Sequence, residues 1–155
     1  MKKYLISIIA ATLLAGCASP KFSVKPINTE NKLKEITVVK DDATREVFLD
    51  TIESWCLDES YECNIVPDRS KHVAEELTLN YISRWSWDFR TYIADAKIKA
   101  YKNKQLVGEV TFIAPNTLDT DKFGSDVKRI ETMIDLLFGL IEESDANKKL
   151  SSGDL

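Results

Sequence analysis

The sequence predicts an α+β fold, a two-layer sandwich in which a mostly antiparallel sheet of about five strands is covered by two helices. Two observations predict it. Apolar residues recur at helical spacing in the stretches 43–57 and 123–141, and they alternate with polar residues through most of 77–112. Because a sheet with one apolar face needs a cover, which two amphipathic helices supply, the predicted order of elements is β-α-β-β-β-β-α.

The first part of this order is a strand, a helix and a second strand. The β-branched run 35–39 predicts a short strand. Asp41 and Asp42 place acidic groups where the dipole of a following helix favours them, and the helix is predicted over 43–57. A second short strand is predicted over 61–66 and is broken by the turn residues that follow it. The apolar positions of the predicted helix are Val47, Phe48, Ile52, Trp55 and Cys56.

Alternation in the middle of the chain predicts a three-stranded meander with one apolar face. The first strand places on that face Leu77, Leu79, Tyr81, Ser83, Trp85 and Trp87. The second repeats the pattern with Tyr92, Ala94, Ala96, Ile98 and Ala100. After a turn at Asn103-Lys104, the third contributes Leu106, Gly108, Val110 and Phe112. The last helix supplies a matching apolar stripe, formed by Phe123, Val127, Ile130, Met133, Ile134, Leu137, Phe138 and Ile141.

Composition excludes several classes of function. The chain has 155 residues, of which 44% are hydrophobic and 30% charged, as expected for one globular domain. A net charge of -4 gives no reason to expect a nucleic-acid partner. Because His72 is the single histidine of the sequence, most catalytic and metal-binding sites that use histidine are excluded. The sequence also has no phosphate-binding loop. We therefore predict no cofactor, no metal site and no catalytic residue.

The N-terminus has the pattern of an export signal. Lys2 and Lys3 precede the apolar stretch 4–14, which is too short to span a membrane as a helix. The run Leu14-Ala15-Gly16-Cys17 resembles the lipobox of bacterial lipoproteins. That resemblance implies that residues 1–16 are a signal peptide and that Cys17 carries lipid. Ala18, in place of Asp, implies export to the outer membrane, facing the periplasm, if the envelope is Gram-negative. The alternative is a plain secretory signal with an incidental cysteine.

Beyond the signal, three further segments are predicted. Residues 17–34 are polar, contain two prolines and show no apolar period, so we predict a flexible tether. An ordered strand over 22–27 is the alternative. Residues 35–143 form the single globular domain, and 144–155 form a polar C-terminal tail that is expected to fray.

The aromatic strand pair carries a second resemblance. It rests on Trp85-Ser86-Trp87-Asp88, on the run 96–101 and on Leu106-Val107-Gly108-Glu109. With the lipobox, these motifs resemble a family of small uncharacterised Gram-negative lipoproteins. The resemblance covers the lipobox and about 79–112, and it implies no catalytic residue.

Cys56 and Cys63 are the two cysteines that remain once Cys17 is lipidated. In an oxidising envelope compartment an even pair predicts a disulfide, and the short span between them permits one. A redox or metal site is the alternative, although the chain has no Cys-x-x-Cys motif.

The aromatic strand also offers candidate binding residues. Trp85 and Trp87 are predicted to pack in the core, with a sugar ring or a partner surface as the alternatives. Arg84, Asp88 and Thr91 are predicted to lie on the exposed face of the meander and to form a partner surface. The sequence thus predicts a lipid-anchored, non-enzymatic module that binds an unidentified envelope protein. The alternative is a small hydrolase or binding protein for the cell wall or an envelope glycan.

Overall fold

A computed structural model describes residues 21–114 and 120–155. Over these residues the chain forms one mixed six-stranded sheet and three helices. The strands are β1 (Lys21–Lys25), β2 (Glu35–Val39), β3 (Glu62–Val66), β4 (Leu77–Asp88), β5 (Arg90–Lys102) and β6 (Gln105–Ile113). The helices are α1 (Glu46–Asp58), α2 (Asp126–Leu137) and α3 (Glu143–Ser151), and short 3₁₀ turns occupy Thr29–Asn31 and Thr120–Phe123. The predicted signal peptide and Cys17 lie outside the described residues.

The strands are ordered β1-β6-β5-β4-β2-β3. The meander β4-β5-β6 and the added strand β1 pair antiparallel, whereas β2 pairs parallel to both β4 and β3. Helix α1 makes the crossover between the parallel strands β2 and β3, which a tight turn cannot connect. The α+β class is therefore confirmed, with six strands rather than about five and three helices rather than two.

The core lies between one face of the sheet and helices α1 and α2. Phe48 of α1 stacks on Tyr81 of β4, with their ring centroids 4.8 Å apart. Above β6, the guanidinium of Arg129 in α2 lies 5.3 Å from the ring centroid of Phe112. Trp55 joins the two helices, because its indole N–H donates to a carboxylate oxygen of Asp135 at 2.8 Å. Both helices thus cover the same face.

The prediction of a flexible tether is wrong for residues 21–34. Residues 21–25 form strand β1, in which Phe22 is fully buried and packs on Phe112, with ring centroids 5.0 Å apart. The ordered-strand alternative is the correct one over these five residues. Ile27 is also buried, and its N–H donates to the carbonyl of Leu137 at 2.8 Å. The polar composition of this segment did not indicate a strand, because the strand is short and pairs only with β6, which is distant in sequence.

The prediction of a fraying tail over 144–155 is also wrong. The long helix predicted over 123–141 ends at Leu137, because Gly139 adopts a φ of +64° and the Leu140 N–H bonds back to the carbonyl of Asp135. Helix α3 then begins at Glu143, and its buried residues Ala146 and Leu150 are spaced four apart. This spacing gives the short helix one apolar stripe that packs into the domain.

Helix α3 also covers the outer edge of β1. Asn147 accepts a hydrogen bond from the N–H of Phe22 at 2.8 Å and donates one to its carbonyl at 3.0 Å. The carboxylate of Glu143 accepts from the N–H of Val24 at 2.8 Å. These side chains satisfy backbone groups that an edge strand otherwise presents to other chains.

The apolar alternation of the second meander strand is wrong at its first two positions. The register between β4 and β5 shifts at Arg84/Trp85, where Trp85 pairs with Ile93 and Ala94 is left out of the pairing. This bulge turns Ile93, which is fully buried, toward the helices, and it moves Tyr92 to the other face. The remaining positions, Ala96, Ile98 and Ala100, face the core as predicted.

The predicted disulfide is present. Cys56, in the last turn of α1, bonds to Cys63 of β3 across a Cα–Cα distance of 6.2 Å. It ties the parallel edge strand to the helix that precedes it in the chain. Across residues 21–114 and 120–155, every helix is too short or too polar to cross a membrane.

Candidate interaction surface

No helix formed by residues 21–114 and 120–155 covers one face of the sheet over its central strands, and we call the twelve residues of this face on β1, β6, β5 and β4 the open face. Residues paired across a sheet point to the same side, so the strand register identifies the open face row by row. The rows are Lys21-Ile113-Asp95-Arg84, Ser23-Thr111-Lys97-Ile82 and Lys25-Glu109-Lys99-Asn80.

Two large aliphatic side chains of the open face are exposed to solvent. Ile82, on β4 at the end of the second row, is 59% exposed, and Ile113, on β6 in the first row, is 53% exposed. Between them lies a shallow hollow of about 480 Å³, lined by both isoleucines and by the stems of charged neighbours such as Lys97. A second hollow of about 240 Å³ continues it toward Asn80 and Lys99. Apolar anchors surrounded by polar groups are the usual anatomy of a binding interface.

The charges around these two isoleucines are predominantly basic. The open face carries five basic residues, Lys21, Lys25, Arg84, Lys97 and Lys99, against two acidic ones, Asp95 and Glu109. Glu109 lies between two lysines, with 3.7 Å from its carboxylate oxygens to each of the Lys97 and Lys99 ammonium nitrogens. Arg84 pairs with Asp95. Since the whole chain has a net charge of -4, a surface with three more basic than acidic groups differs in sign from the rest of the molecule.

His72 lies at the border of the open face, in the loop between β3 and β4. Its Nε2 is 2.7 Å from the side-chain oxygen of Asn80, and its ring centroid is 4.5 Å from that of Tyr101. These contacts fix the loop against the sheet. Among the described residues, no group of three or more His, Cys, Asp or Glu side chains is arranged to hold a metal ion.

The three residues predicted to form a partner surface do not lie together. Arg84 is on the open face, whereas Asp88 pairs with the buried ammonium of Lys122 beyond the end of β6. Thr91 pairs with Trp87 and therefore points to the helix side of the sheet. The bulge opposite Arg84/Trp85 is the physical reason for the direction of Thr91. Because Ala94 is left unpaired, the alternation on β5 shifts by one residue between Asp95 and Thr91, and the two side chains point to opposite sides of the sheet.

The two tryptophans of the aromatic strand have different environments. Trp85 is half-buried against the core, and its indole N–H donates to the hydroxyl of Ser83 at 2.7 Å. Trp87 has the same parity but is 70% exposed, and its ring lies 6.5 Å from that of Phe89, which is exposed as well. The predicted core packing holds for Trp85 and is wrong for Trp87.

Of the twelve residues of the open face, sequence reasoning selected only Arg84, and those it missed include Ile82, Lys97, Lys99 and Ile113. The signal that identifies these four is present in the alternation itself. They occupy the positions between the predicted core residues of β4 and β5, or the position that follows Phe112 on β6. Two lysines flank Ile98, and an isoleucine occurs where a polar residue is expected.

Comparison with known proteins adds little. Neither a protein-family model nor a curated protein matches the chain. Among solved structures, the chain is similar to a minor lipoprotein from Acinetobacter baumannii, with 8% sequence identity over 79% of this chain and 95% of that chain. The TM-score is 0.29, at which the similarity supports no inference about fold or function. The resemblance to small Gram-negative lipoproteins therefore stays a prediction.

Proposed function

We propose that this chain is a lipid-anchored accessory protein of the bacterial envelope, without catalytic activity, and that its open face docks an acidic partner protein. The observation that carries the proposal is the exposure of Ile82 and Ile113 among predominantly basic residues, on a chain with a net negative charge. Fold stability requires neither feature, because the opposite face of the same strands supplies the core.

Charge complementarity supports an acidic partner. The basic excess of the open face attracts an acidic surface and repels a basic one, which governs association rate and selectivity more than affinity. The two isoleucines supply the apolar area that becomes buried on docking, at about 25 cal/mol per Å² of apolar surface. A partner with a protruding apolar side chain among carboxylates fits this face.

The anchor part of the proposal rests on the lipobox resemblance at Cys17, and export to the outer membrane rests on Ala18. Strand β1 begins at Lys21, four residues after Cys17. Four extended residues reach at most about 14 Å. Lipid at Cys17 therefore holds the domain close to the bilayer, so the partner is expected to be a membrane-bound envelope protein or one that approaches the membrane.

Crosslinking in the cell tests the docking face. A photo-crosslinking residue replaces Ile82 on the open face or, as the matched control, Leu57, an apolar residue of α1 that is 80% exposed. We expect one discrete adduct from position 82 and none of the same mass from position 57. The trapped protein is expected to carry an acidic surface at the crosslinked site. Equal adducts from both positions, or adducts of lipid alone from position 82, contradict the proposal.

Metabolic labelling with a fatty acid tests the anchor. Label is expected on the wild-type chain and absent from Cys17→Ser. Equal label on both proteins contradicts lipidation at this residue. The absence of catalysis is tested by incubating the purified chain with cell-wall fragments. Turnover that a single carboxylate substitution abolishes, with folding intact, overturns that part of the proposal.

A further inference from the structure

A second concave surface lies at the end of the β4-β5 pair, where helices α1 and α2 begin. It is an open cleft of about 590 Å³. We call it the arginine cleft and define it by Arg45, Trp85, Arg90, Phe123 and Asp126, all of which line it. It is separate from the open face, because the residues that line it are all different from the twelve of the open face.

Two guanidinium groups enter this cleft over aromatic rings. The Cζ of Arg45 lies 4.7 Å from the ring centroid of Trp85, and the Cζ of Arg90 lies 5.8 Å from that of Phe123. Within the part of the chain that the structure describes, neither arginine forms an ion pair within 4.0 Å, whereas Arg84 on the other face pairs with Asp95. Stacking holds a guanidinium in place while its edge N–H groups remain available to an oxyanion.

One carboxylate shares the cleft, and it is already engaged. Asp126 accepts a hydrogen bond from the N–H of Ile93 at 3.1 Å, on the edge of β5 that extends past β6. Burial raises the pKa of Asp126, while this hydrogen bond and the charges of Arg129, Arg90 and Arg45 act in the opposite direction. Arg129 is buried, donates to the carbonyl oxygens of Lys122 and Leu155 and does not line the cleft. The two guanidinium groups that do line it, of Arg45 and Arg90, exceed the single carboxylate of Asp126 by one charge.

We propose that the arginine cleft binds an oxyanion, a phosphate or carboxylate group, between the guanidinium groups of Arg45 and Arg90. Each guanidinium can donate two parallel hydrogen bonds to such a group, which favours arginine over a point charge. Trp85 and Val127 line the same cleft and give an apolar or ring-shaped part of the ligand a surface on which to pack. The oxyanion can belong to a free molecule or to a lipid headgroup.

Indole N–H signals in a ¹H–¹⁵N spectrum test this site on the full chain purified in detergent. The probes are inorganic phosphate and acetate, each compared with chloride at equal ionic strength. We expect saturable movement of the Trp85 signal with phosphate or acetate and none of the Trp55 signal, which lies away from the cleft. The proposal is overturned if vesicles fail to bind and the Trp85 signal shows no saturable movement with either probe. It is also overturned if vesicles fail to bind and the Trp85 and Trp55 signals move equally.

Matched variants decide whether the arginines hold the anion. Arg45→Gln/Arg90→Gln is expected to weaken binding by about tenfold or more per arginine, because each loses a charge-assisted hydrogen bond. Arg84→Gln is the control and is expected to bind as the wild type does. Retained binding in the double variant, with an unchanged melting temperature, overturns the proposal. If the double variant unfolds, Arg45→Lys, which keeps the charge but not the planar fork, replaces it and is expected to bind more weakly than the wild type.

Vesicles distinguish the two sources of the oxyanion. Binding to phosphatidylglycerol vesicles and not to phosphatidylcholine vesicles, with loss in the double variant, assigns a lipid headgroup. Binding of the free anions without vesicle binding assigns a soluble ligand. This site is independent of the docking face, because Lys97→Gln/Lys99→Gln is expected to leave anion binding unchanged.

Discussion

The two faces of the sheet are built from the same strands and have opposite compositions. On β4, Tyr81 is buried under α1, and its neighbour Ile82 is 59% exposed on the open face. On β5, Ile98 is fully buried and lies between two lysines of the open face. The covered face is thus explained by folding alone. The open face exposes aliphatic side chains on a mostly basic surface, where folding does not require them, and this difference is the basis of the proposed docking role.

The largest expected effect compares the same substitution on the two faces. Ile98→Ala leaves a cavity between Tyr81 and Val110, the residues paired with it, and is expected to lower the free energy of unfolding by about 2–5 kcal/mol. Ile82→Ala removes a side chain that is mostly in water and is expected to cost less than about 1 kcal/mol. Urea unfolding of both variants measures the difference. Similar losses would show that the open face also contributes to stability.

The disulfide tests how the parallel edge of the sheet is held. Replacing Cys56 and Cys63 by Ser frees β3 from α1. The two positions are separated by seven in sequence, and the loss of loop closure is expected to cost about 2.5 kcal/mol. Thermal unfolding with and without a reducing agent checks this, since reduced wild type should match the variant. Quantitative alkylation of both cysteines in the native, unreduced protein would disprove the bond.

The opposite edge of the sheet is held by side chains of α3. Asn147→Ala removes both hydrogen bonds to the backbone of Phe22 and is expected to cost about 1–2 kcal/mol. The Phe22 amide is expected to exchange its hydrogen faster as well. Asn64→Ala, at an exposed position of β3, is the control and should change neither quantity. An Asn147→Ala variant with an unchanged free energy of unfolding would mean that water replaces the lost hydrogen-bond partners at no cost.

The smallest expected effect concerns Asp126. Burial raises its pKa, so the folded state holds a proton to higher pH than the unfolded chain, whose pKa is near 3.8. Its contribution to stability is fully present below the unfolded pKa and is lost as pH rises through the folded one. Asp126→Asn keeps an acceptor for the Ile93 N–H and should show a flatter pH profile. A wild-type advantage that grows with rising pH would reverse the sign and contradict this account.

Periodicity predicted the elements whose apolar pattern is long. The meander and helix α1 lie within a few residues of their predicted bounds, and the pairing of Cys56 with Cys63 is confirmed. Strand β1 was predicted only as the alternative to a tether, because its five residues are too few to establish a period and its sheet partner, β6, is 88 residues away at the central pair Ser23 and Thr111. Helix α3 was missed because two buried residues do not distinguish a stripe from chance.

The candidate surfaces were predicted less completely. Arg84 was placed on the exposed face correctly, but Thr91 was not, since a bulge leaves no trace in a simple alternation. Lys97 and Lys99 were passed over because exposed lysines on a strand are common. Their meaning depends on β6 and β1 bringing Ile113, Lys21 and Lys25 beside them, which is a property of the register rather than of any one segment.

The most direct test of the docking face holds the crosslinking position constant and changes the charge. With the photo-crosslinking residue at position 82, the adduct yield is compared between the otherwise wild-type chain, Lys97→Glu/Lys99→Glu on the open face and Lys148→Glu/Lys149→Glu on α3. Both double variants change the net charge equally, and melting temperatures confirm that each is folded. The account predicts loss of the adduct in the first double variant and wild-type yield in the second. Equal yields in all three proteins would contradict it.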